Sequence, residues 1–146
     1  MLTIDGAVAQ PQSFSLTDLQ ERFPQRTVHT RYANDDRVAT AAYTGVLLWD
    51  LLQTAQPILN TDQPELMRVM ARSTDGFRCI VKWHEFAPSA ENKLILVGCL
   101  QNGQPLDDRY GPLRLVVPGD KQGVRYIRHL ASLTVLNQHS DDQEVQ

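Results

Sequence analysis

Alternating apolar and polar residues run through most of this chain and predict strands along much of its length. The clearest example is residues 111–136, whose pattern predicts a strand, a tight polar loop, a basic turn and a second strand. Leu113, Leu115 and Val117 fall on one face of the first strand because side chains alternate with a period of two, and Arg114 falls on the other face. The stretch therefore places basic residues beside an apolar strand.

Several other stretches have the pattern of strands. They are residues 2–5, 27–32, 38–43, 66–72, 77–83 and 93–100. Polar residues at 34–36 predict a turn that joins the second and third of these stretches into a hairpin. The Asp-Gly pair at 75–76 and the Asn-Gly pair at 102–103 predict further tight turns, because such pairs favour positive φ angles.

Helical patterns are fewer and shorter. Ser15 and Asp18 fit the N-cap and N3 positions of a capping box. Thr44 is a good N-cap for an amphipathic helix over residues 45–55, and residues 83–86 predict a single helical turn. Because strands outnumber helices and the two do not alternate regularly, the sequence predicts an α+β fold that is mainly β, with mixed sheets and a few short helices.

Length and composition fit one globular domain. The chain has 146 residues, of which 42% are hydrophobic and 21% are charged. Its net charge of −3 argues against a nucleic-acid partner. No apolar run approaches the roughly 20 residues of a membrane helix, so we expect no membrane insertion. We expect a single domain over residues 1–136 and a disordered polar tail over residues 137–146.

The N-terminus and the cysteines bear on the cellular compartment. No signal peptide precedes the first predicted strand, which favours a cytoplasmic protein, or a periplasmic one if a leader has been removed from this sequence. Cys79 and Cys99 are too few for a disulfide framework. Each lies in an apolar run, so we expect both thiols to be buried and unpaired.

Residues 111–136 resemble the closing signature of the sulfite-oxidase-type molybdopterin-binding domain. Earlier segments resemble other parts of that family's pattern in the same order: residues 2–19, 41–52 and 73–81. The resemblance covers nearly all of residues 2–136. It implies an α+β, mainly β fold that binds molybdopterin, a pterin with a dithiolene and a terminal phosphate that holds molybdenum. It also implies oxidoreductase chemistry with a redox partner protein.

The resemblance and the charge pattern together select candidate cofactor-binding residues. They are Arg31, Asp75, Tyr110, Arg114, Arg125 and Arg128. Arg114 stands where the family has an arginine, Arg128 where it usually has a lysine, and Tyr110 where catalytic members often have a histidine. A guanidinium is a permanent cation with a planar fork of donors, which suits a phosphate or another small anion.

Simpler explanations of these residues stay open at this point. A surface position is ordinary for an arginine, and an Asp-Gly turn needs no ligand to account for Asp75. Arg114 lies on the signature strand and Arg128 lies in the turn after it. We therefore expect the two side chains to point into one shared cleft.

The metal-binding cysteine of the family is missing. In catalytic members it lies before the segment that corresponds to residues 41–52, but residues 28–42 contain no cysteine. Neither Cys79 nor Cys99 matches its position, so we predict no protein ligand to a metal and assign no catalytic residue. A soft thiolate tunes such a metal, and an imidazole or a hydroxyl would change the charge and softness of the ligand set.

Two classes of function remain open, and with them the question of whether the chain is an enzyme. The first is a small molybdopterin-binding protein that acts as an oxidoreductase subunit or as a cofactor- or anion-binding module. The second is a non-catalytic descendant of the fold, free of this cofactor, that binds another small anion or a partner protein. The whole-length resemblance and the arginines favour the first class, whereas the missing cysteine and Tyr110 favour the second.

Overall fold

Two β-sheets share one hydrophobic core. The computed structural model describes residues 1–34 and 37–139. The first sheet contains, in spatial order, β2 (Gln12–Phe14), β1 (Leu2–Gly6), β10 (Leu130–Leu136), β5 (Arg68–Ser73) and β6 (Arg78–Lys82). The second contains β3 (Arg26–Asn34), β4 (Arg37–Leu47), β7 (Leu96–Gln101) and β8 (Gln104–Pro105), with β9 (Arg114–Val116) paired to β7. The predicted α+β class, mainly β with a few short helices, is confirmed.

Distant parts of the sequence meet in the middle of the first sheet. β1 runs parallel to β10 and places Ile4 opposite Leu133, and both side chains are fully buried. The Thr134 hydroxyl donates a hydrogen bond of 2.7 Å to an Asp5 carboxylate oxygen, across 129 positions of sequence. The other strand pairs among the described residues are antiparallel, so the sheet is mixed, as predicted.

The first and third helices follow the sequence prediction. In α1 (Leu16–Glu21), the Asp18 amide donates to Ser15 Oγ at 3.0 Å and the Ser15 amide donates to Asp18 Oδ2 at 2.9 Å. This capping box satisfies amides that have no partner within the helix. α3 (Trp83–Phe86) is the predicted single turn.

The second helix begins later than predicted. β4 continues to Leu47 and α2 spans Leu48–Thr54, so Thr44 is a strand residue and not an N-cap. Gly45 explains the difference, because it pairs with β7 so closely that a Cβ atom there would meet the Val97 carbonyl oxygen at 2.0 Å. Only a glycine permits this approach, and the strand therefore extends into residues whose spacing predicts a helix.

Smaller differences concern short elements and the ends of strands. β2 and the 3₁₀ turns Pro64–Leu66 and Gly123–Arg125 are not predicted, because three residues are too few to show a period. The predicted β3–β4 hairpin is confirmed, with residues 35–36 of its turn outside the described residues. Residues 140–146 of the predicted tail also lie outside them. Among the described helices, none has the length and apolar character needed to span a bilayer.

Candidate anion-binding site

Residues from both sheets line a cavity of about 280 Å³. Tyr32 comes from β3, Arg78 from β6 and Arg114 from β9, and the chain after β9 supplies most of the remaining wall. Ligand pockets commonly have volumes of roughly 300–1,000 Å³. This cavity therefore has room for a small ligand or for one end of a larger one.

The stretch that carries the family signature builds most of this wall. After β9 the chain folds back on itself, and the Leu115 amide donates a hydrogen bond to the Ile127 carbonyl oxygen at 2.9 Å. The 3₁₀ turn Gly123–Arg125 lies against Tyr32, where a Cβ atom on Gly123 would meet the ring at 2.8 Å. The missing side chain at Gly123 thus lets the turn close one side of the cavity.

Arg114 lies at the bottom of the cavity, with only 4% of the residue exposed. Its Nε donates to the Tyr126 carbonyl oxygen at 3.2 Å, and its Nη1 donates to the Tyr43 hydroxyl at 3.1 Å. The Tyr110 ring centroid is 4.4 Å from Arg114 Cζ, and the Tyr32, Tyr43 and Tyr126 centroids lie at 5.8, 5.9 and 5.6 Å. The ring quadrupoles stabilise the cation. Among the residues that the structure describes, neutral groups and not a carboxylate therefore support this buried charge.

Two of the tyrosines around Arg114, Tyr43 and Tyr126, stay neutral over the physiological pH range. Burial raises the pKa of Tyr43 well above its ordinary value and raises the pKa of Tyr126 to about 12. A neutral phenol accepts a hydrogen bond from the guanidinium without cancelling its charge. The cavity consequently keeps the full positive charge of Arg114.

Further cations lie at the mouth of the same cavity. Arg78 and Arg128 line it, and both are exposed. None of the ion pairs between described residues includes Arg78, Arg114 or Arg128, and no carboxylate belongs to the described lining. Guanidiniums that converge without an internal counterion suit a phosphate or another oxyanion.

The expectation that Arg114 and Arg128 share a cleft is confirmed, because both line this cavity. Tyr110 packs against both guanidiniums, with its ring centroid 4.4 Å from Arg114 Cζ and 5.4 Å from Arg128 Cζ. The Tyr110 ring thus lies close to both positive charges and stabilises each of them. That these three residues bind a cofactor stays a prediction.

Arg125 does not belong to the lining, because carboxylates occupy its guanidinium. Its Nη1 and Nη2 donate to the two carboxylate oxygens of Glu85 at 2.9 and 2.8 Å, and its Nε and Nη2 donate to Asp120, both at 2.8 Å. These hydrogen bonds to Asp120 and Glu85 raise the pKa of Arg125. The arrangement joins the 3₁₀ turn to α3 and lends no support to the predicted contact with a cofactor.

Glu85 is the centre of this network. It also accepts hydrogen bonds from the Lys82 amide at 2.8 Å and from Lys93 Nζ at 3.1 Å. Burial alone would raise the pKa of Glu85, but the hydrogen bonds from Arg125, Lys82 and Lys93 lower it to about 2. We call Glu85, Arg125 and Asp120 the turn clamp, because they fix the turn that forms one wall of the cavity.

Arg31 and Asp75 lie away from the Arg114 cavity. Arg31 lines a separate open depression on β3 and β4 together with His29, whereas its neighbour Tyr32 lines the cavity. Asp75 is exposed in the turn between β5 and β6, where a hydrogen bond from the Ser73 hydroxyl lowers its pKa. The structure does not bring these two candidates together with Arg114, and their binding roles stay predictions.

Tyr32, Phe77 and Arg78 line the cavity, although the sequence prediction does not select them. Phe77 and Arg78 belong to the Asp-Gly-aromatic segment that carries part of the resemblance, so a usable signal existed for them. The only local signal for Tyr32 is its alternation with Arg31 along a strand. Its position in the cavity depends on how the two sheets pack, which a period of two does not reveal.

The cysteines are unpaired, as expected, but only Cys99 is fully buried. Cys79 is half-buried at the edge strand β6, so the expectation of full burial is wrong for this residue. Burial raises the pKa of Cys79 to about 12 and also raises the pKa of Cys99. Both are therefore thiols and not thiolates near neutral pH, and neither lines the Arg114 cavity.

We expect both thiols to react slowly with a bulky maleimide in native buffer, by about ten-fold or more relative to the unfolded protein, because only the thiolate is a good nucleophile. Cys79 should react before Cys99, since it is the more exposed of the two. Mass spectrometry of protein labelled for increasing times, with a sample in urea as the control, measures both rates. Equal and rapid labelling in the two samples would contradict the expectation.

The fold and the cavity define a class of protein: a small α+β domain, mainly β, with a cationic cavity that suits an anionic ligand. The sequence matches the family described as the oxidoreductase molybdopterin binding domain over residues 1–144, and the chain belongs to this family. The resemblance recognised from the sequence is thereby confirmed.

A solved structure with the same fold is the sulfane dehydrogenase SoxCD from Paracoccus pantotrophus. The match has a TM-score of 0.78 and 21% sequence identity, and it covers 97% of this chain and 39% of that chain. The likeness concerns the fold, and this chain corresponds to about two fifths of that longer chain. No curated protein matches the sequence.

The cavity fits one part of the cofactor that the family implies and does not fit another. Arg114 Nη2 donates no hydrogen bond within the described residues and, with Arg78 and Arg128, fits a terminal phosphate. No cysteine lines the cavity, and the described residues contain no cluster of His, Cys, Asp and Glu that could hold a metal ion. The chain has only two cysteines, so a metal at this place would receive no thiolate from it.

Proposed function

We propose that this chain is a small binding module of the molybdopterin family, which holds the phosphate end of a pterin cofactor in the Arg114 cavity and gives no thiolate to the metal. The observation that carries the proposal is the buried Arg114 guanidinium, which has no carboxylate partner among the described residues. The bound cofactor would supply the redox chemistry of its metal. The chain would supply the binding site.

Energetics favour an anion in this place. Burying a charge is costly unless it is compensated, and the described groups around Arg114 are neutral acceptors and aromatic rings. A phosphate oxygen beside Arg114 Nη2 would add a charge-assisted hydrogen bond, which is roughly twice as strong as one between neutral groups. Arg78 and Arg128 at the mouth would neutralise the remaining charge of a dianion.

The surrounding side chains keep water away from that contact. Tyr32 and Tyr126 stack with ring centroids 4.2 Å apart, and both are almost fully buried. Their position beside Arg114 lowers the local polarity, which strengthens the attraction between guanidinium and phosphate. Tyr110 has no cationic group of its own, so anion binding through this site depends on the arginines.

We further propose that residues 1–136 form the binding domain and that it acts as a subunit beside a redox partner protein. The partial coverage of the longer SoxCD chain supports a need for further protein around this fold. The competing proposal, a non-catalytic domain that binds another small phosphate-bearing anion, is favoured by one observation: neither Cys79 nor Cys99 lines the cavity.

Protein purified from cells that make molybdopterin distinguishes the two proposals. We expect a pterin to co-purify with the wild-type chain, measured by its fluorescence after oxidation and by metal analysis, and to be lost from the Arg114→Met variant. The Arg26→Met variant is the matched control, because Arg26 is exposed at the start of β3 and does not line the Arg114 cavity. If no pterin co-purifies while phosphate still binds in an Arg114-dependent way, the competing proposal holds; if neither ligand binds, both fail.

A further inference from the structure

The mouth of the Arg114 cavity carries an apolar surface that a phosphate contact leaves unexplained. Val124 is 81% exposed and Phe77 is 69% exposed, and both line the cavity. A single exposed apolar side chain is ordinary. These two, however, come from the 3₁₀ turn and from the residue just before β6, and they line the same opening.

The exposure of the lining side chains distinguishes a closed end of the cavity from an open end. Arg114 is at the closed end, 4% exposed, while Phe77 and Val124 are at the open end. Ile127 is buried and lines the cavity too, so its wall is also apolar. A ligand that satisfies both ends has an anionic group directed inward and an apolar body at the mouth.

From this geometry we propose that the site selects phosphate monoesters with an aromatic body over phosphate monoesters with a polar body. The inference rests on the proposed phosphate contact and narrows the class of ligand. An aromatic ring at the mouth would cover the side chains of Phe77 and Val124. It would also present its faces to the guanidiniums of Arg78 and Arg128, which stack on aromatic rings. A polar body of similar size would gain neither contact.

The turn clamp favours this selection. Val124 directly precedes Arg125, whose guanidinium is held by Glu85 and Asp120 at distances of 2.8 and 2.9 Å. The apolar side chain is thus exposed on a turn whose backbone is already fixed. A ligand that covers it need not order the turn, so less of the gain from apolar contact is lost to conformational entropy.

Titration of the full chain at low salt with phenyl phosphate and glycerol 3-phosphate tests the proposal, because both are phosphate monoesters and differ in the body. We expect phenyl phosphate to bind about ten-fold more tightly, as the burial of one ring face commonly gives. The Phe77→Ser and Val124→Ser variants should each reduce this ratio to about three or less. The Leu59→Ser variant, at an apolar residue 56% exposed in another depression, should leave the ratio at about ten.

A ratio near one in the wild-type chain, or a ratio of ten that survives both serine variants, would overturn the proposal. Thermal melts of the variants should match the wild type, since both side chains are exposed. Failure of this proposal is distinguishable from failure of the proposed function. If both esters bind equally and Arg114→Met weakens both, only the selectivity is wrong; if neither binds, or Arg114→Met changes nothing, the phosphate site itself is wrong.

Discussion

Replacing Arg114 with methionine is expected to weaken phosphate binding by at least about 30-fold at low ionic strength, the effect of losing one charge-assisted hydrogen bond in a buried site. Methionine keeps much of the length of the arginine side chain but removes its charge and its donors. Calorimetric titration with inorganic phosphate measures the change. The same titration at higher salt should show weaker binding to the wild type, because ions screen the exposed Arg78 and Arg128.

Two further variants separate charge from position. Arg114→Lys keeps the charge but loses the planar fork that bonds Tyr126 and Tyr43, so we expect an intermediate loss of about ten-fold. Arg26→Met removes an exposed arginine that does not line the cavity and should change the affinity by less than about two-fold. Phosphate affinity in Arg114→Met within about three-fold of the wild type, with the fold intact by circular dichroism, would contradict the assignment.

Removing Glu85 should lower the free energy of unfolding by about 2–4 kcal/mol, since the partly buried Arg125 and Lys93 both lose their least exposed carboxylate partner. Its side chain is 10% exposed and pairs with Arg125 and Lys93 at 2.8 and 3.1 Å. Urea denaturation of Glu85→Ala measures the loss. Glu91→Ala is the matched control, because Glu91 also approaches Lys93 but is 47% exposed, and it should cost less than about 0.5 kcal/mol.

Glu85 also makes the free energy of unfolding depend on pH, and the direction of that dependence follows from its pKa. The folded-state pKa of Glu85 is about 2, below the value of about 4.3 in an unfolded chain. Its contribution to stability is therefore complete above the unfolded value and is lost as the pH falls through the folded value. The wild type should lose on the order of 1–2 kcal/mol more than Glu85→Gln between about pH 6 and about pH 2. Stability curves that stay parallel over this range would contradict it.

Local features of this fold follow from the sequence, and long-range ones do not. Ser15 and Asp18 form the predicted capping box, because both partners lie within one turn. Whether Thr44 caps a helix or lies within a strand depends instead on how closely Gly45 approaches Val97, a contact between separate strands. A helical pattern and a strand pattern overlap there, and tertiary pairing decided between them.

In the candidate site, too, local features follow from the sequence and long-range contacts do not. Arg114 and Arg128 could be identified from the signature stretch, because β9 and the turn after it form one local unit. The carboxylate partners of Arg125 could be only partly foreseen. Asp120 is near it in sequence, but Glu85 lies 40 positions away and reaches it only through the packing of α3 against the turn. An arginine in a family signature therefore indicates an anion-binding site only when no acidic side chain packs against its guanidinium.

The parallel pairing of β1 with β10 also governs the order in which this protein can fold. The hairpins β3–β4 and β5–β6 join neighbouring stretches and can close early, with little loop entropy to overcome. The first sheet cannot be completed until Ile4 meets Leu133, a contact that closes almost the whole chain into one loop. During synthesis β1 therefore cannot pair with β10 until β10 has left the ribosome. We expect refolding in vitro to take milliseconds to seconds, as is typical of sheets built from contacts between distant residues.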